Sequence, residues 1–242
     1  MPQPVEHDSP KATRILRATR ELVFDHGIRK VTIAEIARAA GVGKGTVYLY
    51  WATKEDLLLD LFGRELVGGL NQVRRALAAD PGLVRPGRLT ALLLHTMLTP
   101  PLNRRLQAGD EDALRLMAYH TDSRDVFARA APAALCTAVL DVLRQYGLVR
   151  QDRALSDQAY ALHALLNGFF EVETRAVFTG PPIDRDPGLV LAETVTTLLE
   201  VDSEPAEAVL EAATEKVLVV FDRVCADIVE HLRSLAVGAP RS

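Results

Sequence analysis

Apolar residues recur at three- and four-residue steps along most of the chain, and no stretch alternates apolar with polar residues in the manner of a strand. This spacing predicts an all-α fold of about ten helices. Clusters of proline and glycine divide the pattern at 80–87, 99–101 and 180–182. We expect helices over 11–26, 54–79, 88–99, 102–108, 110–120, 123–146 with a break at Pro132, 156–178, 188–200, and from 203 or 204 to 235.

Turn and capping signals are most closely spaced just after the first predicted helix. Thr32 and Glu35 form a capping box, in which each side chain can satisfy the other residue's backbone N–H. Gly41 favours the left-handed backbone that ends a helix and turns the chain. Thr53 and Asp56 repeat the cap at the start of a longer helix. This order predicts a helix-turn-helix, whose second helix lies in the major groove of DNA.

The second short helix has a small core side and an outward side. Val42 and Val47 can close the core. The residues then left to point outward are Lys44, Thr46, Tyr48 and Tyr50.

The same segment resembles the DNA-binding domain of the tetracycline-repressor (TetR) family of transcriptional regulators. The matching residues are Thr32, Ile36, Ala37, Ala40, Gly41, Val42, Gly45, Thr46, Val47, Tyr48, Tyr50, Lys54, Glu55 and Leu57. Gly43 stands where the family usually has serine, Leu49 where it usually has a polar residue, and Trp51 where it usually has phenylalanine. The resemblance implies a DNA-binding set of Thr32, Gly43, Lys44, Thr46, Tyr48, Tyr50 and Lys54.

The resemblance also implies a domain order and a function. We expect a flexible arm over 1–9, a DNA-binding domain over 10–56, and a helical ligand-binding and dimerisation domain over 57–242. The expected protein is a one-component transcriptional regulator, a repressor that binds a near-palindromic operator as a dimer and is released by a small-molecule effector. The alternative is a helical small-molecule-binding protein of the same architecture that has lost sequence-specific DNA binding.

Two segments are candidates for the contact between subunits. The family's dimer is commonly a four-helix bundle, and by position this resemblance selects residues 156–200. The last predicted helix, 204–235, is the alternative, because its apolar residues recur at alternating four- and three-residue steps like a coiled-coil seam. The glycines at 63, 68 and 69 lie inside the helix over 54–79, where they mark either tight packing or a hinge.

The larger domain offers candidates for an effector site but none for catalysis. The residues expected to line the site are His95, Met117, His120, His163, Asn167 and Phe170. Their mostly apolar helices suggest a largely hydrophobic effector with hydrogen-bonding atoms. The polar stripe around His163 is also compatible with a dimer seam, a solvated edge or a metal site. No motif with catalytic spacing occurs, so we expect no enzyme, no metal and no cofactor.

Charge and composition agree with this interpretation. The net charge is −4, yet residues 1–64 carry ten Lys and Arg against eight Asp and Glu, whereas the remainder carries 18 against 24. A modestly basic end suits a protein that meets phosphate with one end only. The two cysteines lie far apart, and the N-terminus does not resemble a signal peptide. The apolar runs are too short to span a bilayer, so we expect no membrane contact and a cytoplasmic location.

Overall fold

A computed structural model describes residues 9–98, 132–174 and 184–234 of the chain. Within these ranges the chain is helical, with an isolated β-bridge between Val149 and Glu200 and no strand. The predicted all-α class is confirmed. The helices are α1 (Pro10–His26), α2 (Ile33–Ala39), α3 (Lys44–Tyr50), α4 (Lys54–Ala79), a 3₁₀ turn (Pro81–Val84), α5 (Pro86–Leu98), α6 (Pro132–Gln145), α7 (Leu155–Thr174), α8 (Pro187–Leu199) and α9 (Glu207–Ser234).

Most predicted helix boundaries agree with the structure to within two residues. The exception among the described boundaries is α9, which begins at Glu207 rather than at 203 or 204. Pro205 explains the difference, because proline disfavours helical backbone in the residue before it. The predicted helices over 102–108 and 110–120, the first part of the helix over 123–146, the helix ends at 99, 178 and 235, and residues 1–8 of the expected arm lie outside the described residues.

The chain divides into two compact units. Among the described residues, the first unit comprises 9–67 and 226–234, and the second comprises 68–98, 132–174 and 184–225. Two helices therefore belong to both units: α4 passes between them after Val67, and α9 passes between them after Cys225. The expected domain boundary at 56/57 stays a prediction.

The first unit packs α1, α2 and α3 around a small apolar core. Ile15, Ile36, Val47 and Trp51 are fully buried there. In the same unit, α4 approaches α9 so closely that a Cβ atom on Gly63 would lie 2.8 Å from Leu232 Cδ2. A residue with a Cβ atom at this position would have to displace the end of the Leu232 side chain.

The second unit is organised around contacts of α5 with α8 and of α6 with α7. The buried carboxylate of Glu200 fixes the start of α5. It accepts hydrogen bonds from the Arg85 guanidinium at 2.9 and 3.1 Å and from the Gly87 N–H at 2.9 Å, and the Thr196 hydroxyl lies 3.0 Å away. Such a buried carboxylate is tolerated because several donors replace its water.

The described helices contain no segment that is both long enough and apolar enough to cross a membrane.

Candidate nucleic-acid interface

The first helix of the motif, α2, is fixed at its N-terminus by the predicted capping box. The Glu35 N–H donates to the Thr32 hydroxyl oxygen at 3.3 Å, and the Thr32 N–H donates to Glu35 Oε2 at 2.9 Å. The Thr32 hydroxyl also donates to the same carboxylate at 2.7 Å. The hydrogen bonds that Thr32 donates hold the pKa of Glu35 below its ordinary value, and the bond from the hydroxyl has the larger effect.

The turn between α2 and α3 depends on one glycine. Gly41 has φ +64°, in the left-handed region that residues with a Cβ avoid. The Val42 N–H then donates to the Ala37 carbonyl at 2.9 Å, which is the six-residue hydrogen bond of a Schellman motif. Gly43 follows as the N-cap of α3 and supplies no side-chain hydrogen bond. The turn therefore sets the direction of α3, whereas the start of α3 lacks the usual side-chain cap.

The helix α3 has one buried side and one exposed side. Val47 is fully buried. Tyr48 and Leu49 are 48% and 59% exposed, respectively. Lys44 and Gly45 are exposed too, and Thr46 is half-buried. The exposed residues form a surface that no other part of the described chain covers, as a helix that enters a groove requires.

The prediction that Tyr50 points outward is wrong. Its side chain is only 6% exposed, and its hydroxyl lies 2.8 Å from Ser9 Oγ, at the N-cap of α1. Tyr50 therefore anchors α3 to α1 and offers no surface to DNA. Lys54 is half-buried and donates from Nζ to the Ile28 carbonyl at 2.7 Å. One of its three donors is used within the protein, and its phosphate contact stays a prediction.

Exposed cations are numerous on the described part of the first unit. They are Lys11, Arg14, Arg17, Arg20, Arg29, Lys30, Arg38 and Lys44. The excess of cations over anions in residues 1–64 is small, ten against eight, and it favours a polyanionic partner, while the rest of the chain makes the net charge negative.

The residues expected to line the effector site differ in how far they are exposed to solvent. His95 is exposed on α5, and Phe170 is buried in the second unit. His163 is half-buried on α7, with its Nε2 atom 2.9 Å from Nδ2 of the exposed Asn167. Met117 and His120 lie outside the described residues. Among the residues that are described, no three His, Cys, Asp or Glu side chains are grouped to hold a metal ion. The effector site stays a prediction.

An apolar groove lies between α7 and α8 in the second unit. Its lining residues are Ala161, Ala164, Leu165, Gly168, Phe169, Val172, Glu173, Pro187, Val190, Glu193, Thr194, Thr197 and Leu198. Val172 is 56% exposed there. The polar stripe that includes Tyr160 and His163 does not line the groove. The small residues Ala161, Ala164 and Gly168, at three- and four-residue steps, were the sequence signal for this face, which the sequence interpretation did not single out.

Comparison with known proteins supports the helix-turn-helix assignment. The sequence profile described as bacterial regulatory proteins of the tetR family matches residues 15–61. The fatty acid metabolism regulator protein of Bacillus subtilis is 39% identical over 57 residues, which are 24% of this chain and 29% of that protein. An uncharacterised HTH-type transcriptional regulator of Mycobacterium bovis is 28% identical over 160 residues, 59% of this chain and 76% of that protein. The chain thus covers less than a third of the first of these relatives.

Solved structures share the fold over a longer span. SmeT, the repressor of the Stenotrophomonas maltophilia multidrug efflux pump SmeDEF, superposes with a TM-score of 0.55 at 19% identity and covers 84% of this chain and 100% of its own. The fatty acid degradation regulator FadR of Bacillus halodurans gives a TM-score of 0.52 at 20% identity and covers 79% of this chain and 95% of its own. With the capped α2, the Gly41 turn and the exposed α3, these matches confirm the resemblance: residues 15–61 are similar to the tetR family of bacterial regulatory proteins.

Proposed function

We propose that this protein is a homodimeric transcriptional repressor of the cytoplasm that binds a near-palindromic operator and releases it when a small molecule binds. The observation that carries the proposal is the exposed side of α3, with Lys44, Tyr48 and Leu49 uncovered on a short helix whose other side is buried. A helix presented in this way can read base edges and contact phosphate. The relatives and structural neighbours that are named as regulators or repressors support the same function.

The dimer is proposed to form through α7 and α8, within residues 156–200. The groove between these helices is apolar and includes Val172, which is 56% exposed in the single chain; Leu189 on α8, outside the groove lining, is exposed to the same extent. A second subunit that buried this surface would remove it from water. By contrast, the seam of α9 is already used within the chain, because Val217 and Phe221 are buried. This difference favours α7 and α8 over the alternative interface at 204–235.

A dimer is also what an operator of two half-sites demands. One recognition helix contacts only a few base pairs, and two-fold pairing places two of them about 34 Å apart, one turn of DNA.

The effector is proposed to be a largely apolar small molecule bound by the second unit. The helices α4 and α9, which belong to both units, are the routes by which its binding would reach the first unit.

The experiment is a mobility-shift titration with DNA that flanks the gene, using the wild type and Tyr48→Ala. Tyr48 is exposed, so its loss should leave the fold intact, which circular dichroism checks. We expect operator affinity to fall by about tenfold, the size of one lost base or phosphate contact. Phe24→Ala is the matched control, because Phe24 is an exposed aromatic residue, 40% accessible, on α1 rather than α3.

Two results would count against the proposal. If the wild type shifts no DNA from its own locus or from a random-sequence pool, the protein is instead a helical small-molecule-binding protein that lacks DNA binding. If Tyr48→Ala binds the operator as tightly as the wild type, α3 is not the recognition helix.

Lys54→Ala should weaken binding to every sequence and flatten the dependence of binding on salt, as the loss of a phosphate contact does.

A further inference from the structure

Leu49 is an aliphatic side chain that α3 leaves in water. It is 59% exposed, more than Tyr48 beside it. The core under α3 is completed by Val47 and Tyr50, so Leu49 is not needed for packing. Burying a leucine side chain contributes about 1.5–3 kcal/mol. Because Leu49 stays largely exposed in the free protein, much of this free energy can be gained when Leu49 is buried against a partner.

The proposed position of α3 in the major groove restricts what Leu49 can contact. An isobutyl group has no hydrogen-bond donor or acceptor. Most groups on the base edges of the major groove are donors or acceptors, and the apolar one is the C5-methyl group of thymine. We propose that Leu49 packs on a thymine methyl group and so specifies a T·A pair at one position of each half-site. This inference rests on the proposed DNA-binding function.

The neighbours of Leu49 fit a close approach of this kind. Gly45 lies one helical turn before it on the same side of α3, and a Cβ atom there would meet nothing within 4 Å. With no side chain at Gly45, the backbone of α3 can come near the base edges and bring Leu49 within van der Waals distance. Lys44 and Tyr48, exposed together on one adjacent side of α3, can supply polar contacts to the DNA backbone.

The test removes only the methyl group. An operator is first selected from random DNA, and each thymine of a half-site is then replaced in turn by deoxyuridine, which retains the hydrogen-bonding edge. For wild-type protein we expect one position at which the replacement lowers affinity by about fourfold, the transfer free energy of one methyl group. Replacement in both half-sites should lower affinity by about fifteenfold.

The variant Leu49→Ala should bind the thymine and deoxyuridine operators equally at that position. Leu49 is exposed, so this variant should fold as the wild type does. Val219→Ala is the matched control, because Val219 is an aliphatic residue exposed to 61% on α9, and it should keep the wild-type preference for thymine.

Three outcomes would overturn the inference, and they are distinguishable. Equal binding of thymine and deoxyuridine at every position would refute the methyl contact while leaving operator binding, and hence the proposed function, intact. A preference for thymine that survives in Leu49→Ala would assign the contact to another side chain. Failure to select any operator would refute the proposed function and the inference together.

Discussion

The indole N–H of Trp51 donates a 2.9 Å hydrogen bond to Oδ2 of Asp60, and both side chains are fully buried. The other oxygen of that carboxylate accepts from Arg64 Nε at 2.7 Å. Trp51 is the C-cap residue of α3, and Asp60 lies in the second turn of α4. The hydrogen bond therefore ties the end of the proposed recognition helix to the helix that continues into the second unit.

Replacing Trp51 with phenylalanine, the usual residue of the family at this position, should destabilise the protein. The buried Asp60 would lose one of its donors, and we expect a loss of about 1–3 kcal/mol in the free energy of unfolding. Urea denaturation followed by circular dichroism measures it. The control is a double-mutant cycle with Asp60→Asn. If the effects of the two substitutions simply add, the hydrogen bond contributes no coupling energy and the interpretation fails.

Gly45→Ala should raise stability and lower DNA affinity at the same time. The added methyl group would meet no protein atom within 4 Å, and alanine favours a helix over glycine by about 1 kcal/mol. On DNA, however, the same methyl group would stand between α3 and the bases. Thermal unfolding and a binding titration measure the two effects. Gly68→Ala, another helical glycine with open space, is the control and should leave DNA affinity unchanged.

Stability should depend on pH through Glu35. Its pKa is lowered from 4.5 in the folded protein by the hydrogen bonds from Thr32. A carboxyl group whose pKa is lowered by folding stabilises the protein above its ordinary pKa, and this contribution is lost as the pH falls through the folded value. The difference in the free energy of unfolding between the wild type and Glu35→Gln should therefore shrink below about pH 4.5. Urea denaturation at several values between about pH 6 and pH 3 measures it. Glu55→Gln, exposed in the first turn of α4, is the control. A constant difference between wild type and Glu35→Gln across this range would contradict the prediction.

A charge in the groove between α7 and α8 should separate the subunits. Val172→Glu places a carboxylate on the apolar surface proposed to be buried in the dimer, where an unpaired charge is costly. Light scattering should show a monomer at concentrations at which the wild type is a dimer. Tyr160→Glu is the matched control, because Tyr160 is 77% exposed on the same helix but does not line the groove. If Val172→Glu stays dimeric while Val219→Glu becomes a monomer, the interface lies on α9.

The glycine doublet at 68 and 69 should affect the switch rather than DNA binding itself. The boundary between the two units falls just before Gly68. A Cβ atom on Gly68 would meet nothing within 4 Å, and one on Gly69 would lie 3.6 Å from Thr96 Cγ2, an ordinary contact. The double alanine variant should thus fold and bind the operator. If these glycines act as a hinge, it should also resist release by the effector in a mobility-shift assay.

Gly63, another glycine of α4, provides a comparison for the variant at 68 and 69. Gly63→Ala should lower the free energy of unfolding, because its Cβ atom would clash with Leu232. A double variant at 68 and 69 that releases DNA at the wild-type effector concentration would show that these residues do not form a hinge.

Local signals predicted the helix-turn-helix well, because its caps and its turn depend on residues three or four positions apart. The capping box of Thr32 and the Gly41 turn are of this kind. The position of Tyr50 could not be predicted in the same way, because its hydroxyl is hydrogen-bonded to Ser9, 41 residues earlier in the chain. The groove between α7 and α8 also combines two helices, so neither helix alone reveals it. Contacts between distant segments therefore account for the misplaced Tyr50 and the missed groove, whereas the late start of α9 has a local cause in Pro205.

The contact between Gly63 and Leu232 has a consequence for the order in which the protein forms during synthesis. A ribosome completes α1, α2 and α3 long before it makes residues 226–234, yet those late residues belong to the same unit. Until they emerge, the side of α4 at Gly63 has no leucine to pack against it. The unit that contains the helix-turn-helix is therefore complete only after the intervening residues of the second unit have also been made.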